Sequence, residues 1–160
     1  MLTISWTRVI DGMDRETHRK PTRDGLWRAM LHKAENPVLY VPAITSSRIV
    51  ERYPDGFLRE SCRGERFLVQ RVTPNEEAGV ITFRHQDATD LSVIRNRIGT
   101  DDTGRLTLTL SITLDEGPTE TALSQSEYLR DLDSDFCGTL KAMTVVLRRT
   151  ALHGRPVDEA

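Results

Sequence analysis

The sequence predicts an α+β fold: a curved seven-stranded antiparallel sheet wrapped around a long C-terminal helix, with one or two short helices between strands 1 and 2. Three observations carry this expectation. One alternating segment opens the chain. Six strand-like segments then follow one another between Ile44 and Leu114, separated by turn-forming residues. The last third carries an apolar stripe of helical period. A length of 160 residues suits a single domain, 1–160, with a tail expected to fray over 153–160. A chain of this size buries roughly 70% of its unfolded surface.

The elements follow in order. Leu2, Ile4 and Trp6 alternate with Thr3, Ser5 and Thr7, as in a half-buried strand. Asp11 to Lys20 is a charged connection without period. Thr22 can cap a helix whose apolar face is Leu26, Trp27, Met30, Leu31 and Ala34. Asn36-Pro37 ends it, because proline disfavours helical geometry in the preceding residue. The segment from Pro37 to Ile44 leaves room for one helical turn and a bend. The expected strands are Ser46–Tyr53, Phe57–Cys62, Arg66–Thr73, Val80–Arg84, Leu91–Ile98 and Leu106–Leu114. Pro54-Asp55-Gly56, Gly64, Pro74-Asn75, Ala78-Gly79 and Asp101 to Gly104 supply the turns between them. Links this short favour antiparallel neighbours. In the last strand, Leu106, Leu108, Leu110, Ile112 and Leu114 face a core, while Thr107, Thr109, Ser111 and Thr113 are expected to face water.

Glu116-Gly117-Pro118 reads as a break, and Ser124 with Glu127 reads as a capping box for the long helix. Its stripe is Leu129, Leu132, Phe136, Leu140, Met143 and Leu147. These cover 18 residues in five steps, or 3.6 per step, which is the period of a globular amphipathic helix and not of a coiled coil. At about 1.5 Å per residue such a helix is ~40 Å long, enough to cross a whole sheet. A twisted sheet of seven strands curls, and one helix does not fill its hollow. The remaining space is either packed by large side chains or open as a cavity.

Composition excludes several function classes. The 22 basic and 24 acidic residues nearly cancel, against the basic excess that nucleic-acid binding requires. No apolar run is long enough for a membrane span. The N-terminus lacks a basic region, an apolar run and a cleavage site, so the expected location is cytoplasmic. Cys62 and Cys137 form no CxxC motif and read as buried or half-buried thiols. The histidines His18, His32, His85 and His153 stand at no metal-ligand spacing. Asp131, Asp133 and Asp135 imitate a calcium loop, but Phe136 stands where glycine is needed and Ala142 where glutamate is. Gly99 to Gly104 has phosphate-loop spacing, yet Arg105-Leu106 and a strand follow it; it reads as a hairpin turn. No metal and no cofactor is expected.

The stretch from Leu26-Trp27 through Ala34-Glu35-Asn36-Pro37 to Tyr40-Val41-Pro42 resembles the AtaL-like family of small proteins. So do Phe57-Leu58-Arg59-Glu60 and Ser92-x-Ile94-x-Asn96-x-Ile98. The element order resembles the wider helix-grip (SRPBCC) superfamily of START domains, polyketide cyclases and pollen-allergen proteins. The resemblance spans roughly residues 2–150. It implies a helix-grip fold and a cavity for a lipophilic or polycyclic small molecule; it brings no catalytic signature.

The candidate lining is Trp27, Met30, Tyr40, Phe67, Phe83, Phe136, Leu140 and Met143. Ser92 and Asn96 join it, since they share a strand face with Ile94 and Ile98 while Arg95 and Arg97 take the other. An inward Asn96 needs hydrogen-bond partners. Arg59 and Arg71 are candidate clamps for a carboxylate or carbonyl. Each apolar candidate has an alternative reading as plain core. Three functions stay open: binding of an apolar or ring-containing small molecule; a cyclase- or aromatase-like enzyme, for which Asn96, Arg59, Tyr40 and His85 are the residues to inspect; and a partner-binding module or homodimer with a filled core.

Overall fold

The computed structural model describes residues 1–15, 18–86 and 91–156. Strand β1 (Leu2–Val9) is followed by helix α1 (Arg23–Glu35) and a one-turn 3₁₀ helix (Pro37–Leu39). Then come β2 (Ile44–Tyr53), β3 (Gly56–Arg63), β4 (Arg66–Asn75), β5 (Val80–His85), β6 (Leu91–Thr100) and β7 (Leu106–Leu114). Two helices close the chain, α2 (Glu116–Ser124) and α3 (Ser126–His153). The strands form one antiparallel sheet in the order β1-β7-β6-β5-β4-β3-β2, so β1 returns beside the last strand and the sheet keeps two edges. The architecture is the helix-grip fold.

Local chemistry explains the elements. Thr22 caps α1 by accepting a hydrogen bond from the Gly25 amide at 3.0 Å. Gly25 also sets the helix crossing: a Cβ there would lie 3.0 Å from the Ala151 carbonyl oxygen of α3. The α3 stripe seats Phe136, Leu140, Met143 and Leu147 in the core, with Leu129 and Leu132 half-buried against it. Facing them, β7 contributes Leu108, Leu110, Ile112 and Leu114, each 3% exposed or less. Edge strand β1 is tied to β7 on the outer face by three hydroxyl pairs: Thr3–Thr113 at 3.0 Å, Ser5–Ser111 at 2.8 Å and Thr7–Thr109 at 2.8 Å. On its inner face Trp6 stacks on Phe136, with centroids 5.5 Å apart, and donates to Asp133 at 2.7 Å.

Several expectations need correction. The Gly117-Pro118 break is the first turn of α2, where amides have no intrahelical partner and a proline removes nothing. Ser124 does not cap α3; it ends α2, and its hydroxyl donates back to the Glu120 carbonyl at 2.8 Å. The long helix starts from Gln125 without a side-chain cap. Pro74-Asn75 belongs to β4, and the turn lies after it. The outer face of β7 is not wholly wet: Thr107 and Thr113 are buried, as is Val93 opposite Thr113. Cys137 is exposed, whereas Cys62 is half-buried as expected. The tail is helical at His153, and a left-handed Gly154 then turns the chain so that Pro156 is buried. Residues 157–160 of the expected frayed segment lie outside the described residues.

Candidate functional site

The sheet and α3 do not close completely on each other. Between them lies a cavity of about 130 Å³. Its apolar wall is Phe83, Ile94, Leu110, Phe136 and Met143, continued toward the surface by Val41, Ile44 and Leu68. Its polar lining is Lys33, Arg59, Gln70, His85 and Asn96, with Arg63, Arg66 and Thr139 nearer solvent.

Each polar group is placed by its element. Lys33 follows Leu26 and Met30 at helical spacing on α1, so it turns to the sheet with them and is 6% exposed. Its Nζ donates to Asn96 Oδ1 at 2.7 Å. Arg59 lies on β3 between Phe57 and Ser61 at alternate positions, all three buried. Its Nη1 donates to the Ala34 carbonyl at 2.8 Å and its Nη2 to Gln70 Oε1. Gln70 sits opposite both Arg59 and His85 in the sheet register. With its oxygen accepting from Arg59, Gln70 turns its amide nitrogen to His85 Nε2 at 2.8 Å.

Lys33 Nζ and the Arg59 guanidinium each lie 5.0 Å from the centre of the Phe83 ring. Burial, together with the Arg59 charge, pulls the Lys33 amine down to about 7. Burial pulls Arg59 down to about 10. No carboxylate lines the cavity among the described residues. The same residues offer no cluster of His, Cys, Asp and Glu that could hold a metal. No described helix is long and apolar enough to cross a membrane.

The sequence-derived lining divides cleanly. Arg59, Phe83, Asn96, Phe136 and Met143 converge on the cavity. Trp27, Met30 and Leu140 are core residues away from it. Tyr40 is buried too, with its hydroxyl between His32 Nδ1 at 2.7 Å and Thr150 Oγ1 at 2.9 Å. Ser92 stands at an irregularity of β6 and donates to the Thr113 carbonyl at 3.2 Å. Phe67 is 55% exposed, because the β3–β4 register puts it on the face opposite Leu68. Arg71 shares that outer face, lying over Tyr53 and pairing with Asp55 at 2.5 Å. Lys33 and Gln70 were missed. Lys33 carried a signal, its i+7 spacing from Leu26, but a lysine beside an apolar stripe ordinarily reaches back to water.

A family model described as Acetylaranotin biosynthesis cluster protein L (AtaL) matches residues 7–151. Among solved structures, the chain is similar to the Zhui aromatase/cyclase from Streptomyces sp. R1128, at 14% identity and a TM-score of 0.63, covering 94% of this chain and 93% of that one. A protein from Thermobifida fusca gives 18% identity and a TM-score of 0.64, with 93% and 95% covered. The di-domain ARO/CYC BexL of the BE-7585A biosynthetic pathway gives 12% and 0.62; 94% of this chain covers 50% of that longer one. At these identities the likeness is one of fold. No curated protein matches the chain.

Proposed function

Since the chain belongs to the AtaL family, we propose that it binds an apolar or ring-containing small molecule between the sheet and α3. The observation that carries this reading is an apolar-walled cavity on which a few oriented polar groups converge, the usual make-up of a ligand site. Size narrows the ligand. An apolar protein cavity of ~150 Å³ takes one benzene ring, so about 130 Å³ suits a single ring or a short acyl fragment. Two neighbours of the same fold, an aromatase/cyclase and a di-domain ARO/CYC, agree with a ring-bearing ligand. Native mass spectrometry of purified protein, with titration of benzyl alcohol by calorimetry and thermal shift, tests the reading. Met143→Trp should fill the space and abolish the shift. A protein indifferent to every single-ring probe would remove the reading.

One observation favours a second reading, an enzyme acting on a carbon acid. An amine titrating about 7, hydrogen-bonded to Asn96 inside an apolar cavity, is poised to move a proton. Deuterium exchange at the central carbon of a 1,3-diketone, followed by NMR, tests it. Exchange no faster than in buffer, or equally fast in Lys33→Met, removes Lys33 as the base and with it this second reading.

A further inference from the structure

We infer that the cavity takes its ligand as an anion, a single-ring carboxylate whose oxygens sit between Lys33 and Arg59. This deepens the cavity reading and rests on it. Two like charges are buried side by side, and both border the same open volume. Burying a cation without a counter-charge is strongly unfavourable. The ion pairs of the described residues, Arg48–Glu60, Arg52–Glu35, Arg71–Asp55 and Arg105–Asp101, all lie elsewhere. Hydrogen bonding leaves the same gap. Lys33 has three donors and one acceptor, Asn96. Arg59 spends its two terminal nitrogens on Ala34 and Gln70, and its buried Nε has no partner among the described residues. A carboxylate offers two oxygens with about four acceptor sites, which is what two such cations lack. The ring of the ligand would then lie toward Phe136, Leu110 and Met143.

The charged and titratable groups that face Lys33 across the cavity are Arg59 and Arg63 from β3, Arg66 from β4 and His85 from β5. From α3 comes uncharged Thr139. Next to Lys33 on α1, Ala34 separates it from Glu35, which is held by Arg52 at 2.7 Å. An entering carboxylate therefore meets only positive or neutral groups. Its charge offsets the burial cost and the Arg59 repulsion that together pull the Lys33 amine down, so binding above pH 7 draws a proton onto the amine.

Calorimetry with benzoate and benzyl alcohol, a pair differing mainly in charge, is the test. At pH 6.5 benzoate is expected to bind at least about tenfold tighter, the worth of a charge-assisted contact. At pH 8, titration in two buffers of different ionisation enthalpy should report uptake of most of one proton per benzoate. Lys33→Met should collapse the preference of benzoate over benzyl alcohol. Lys33→Gln, which keeps a donor toward Asn96, should collapse it too and guards against a folding defect in the first variant. If benzyl alcohol binds and benzoate does no better, or if either variant keeps the preference, the anion inference is overturned while the cavity reading stands. If neither probe binds, both fall.

Discussion

Removing the Lys33 charge should make this protein more stable at neutral pH and erase much of its pH dependence. The amine titrates about 7 in the fold against 10.5 in the unfolded chain. Between those values the unfolded chain binds more protons, so stability rises with pH. The difference of about 3.5 units corresponds to roughly 5 kcal/mol between the fully protonated and fully neutral limits. Half of the amine is already neutral at pH 7, so the rise from pH 7 to 9 comes to about 2 kcal/mol. For a domain of this length that is about 4–8 °C in Tm. Arg59 at about 10 and the upward-shifted Tyr40 and Tyr53 titrate above this window. Urea unfolding of the wild type and of Lys33→Met at pH 6, 7, 8 and 9 is the assay. The variant should be the more stable of the two at pH 6, and its lead should shrink as pH rises. Asn96 Oδ1 loses its donor in the variant, a cost of about 1–3 kcal/mol that is the same at every pH. Parallel pH profiles for the two proteins would refute the argument, because they would mean that Lys33 keeps its ordinary basicity and is not desolvated.

Three further substitutions probe the frame around the cavity. Phe136→Ala removes a core side chain that also stacks on Trp6, and should cost about 3–5 kcal/mol in urea unfolding, with a shift in Trp6 fluorescence. Tyr40→Phe leaves His32 and Thr150 without their shared hydroxyl, and should cost about 1–3 kcal/mol with the native circular dichroism unchanged. Gly56→Ala sets a Cβ 1.9 Å from the Val72 carbonyl oxygen, forcing β3 and β4 apart; a loss of about 3 kcal/mol or more is expected, and a fully stable variant would contradict the described register.

The fold was legible because its signals are local. Alternation in β1 and β7, turn residues between strands and the 3.6-residue stripe of α3 each act within a few neighbours. The error at α2 shows the limit of such signals. Gly117-Pro118 looks like punctuation, and only the position of the proline within a first helical turn makes it compatible with helix. Ser124 had two uses, capping the next helix or bonding back to its own, and the tertiary path chose the second. The site was less legible. Phe83, Phe136 and Met143 were found because their faces follow from periodicity. Phe67 fits a lining by residue type alone, and the sheet register sent it outward; Leu140 shares the stripe of Phe136 and Met143, yet it packs in the core away from the cavity. Lys33 left only its spacing from Leu26 as a signal, because its burial depends on Asn96 and Phe83, which lie fifty or more positions away in the chain. Charge at long sequence separation leaves no periodic trace.

The hydroxyl pairing of β1 with β7 has a consequence for how the edge strand finds its place. Slid by two residues, Thr3, Ser5 and Thr7 would meet Ser111, Thr109 and Thr107, again three hydroxyl partners. The outward ladder is thus blind to such a slip. Selection falls to the inward side, where a shifted Trp6 would leave both the Phe136 ring and the Asp133 carboxylate. One indole acts as the detent that stops the strand in the right notch.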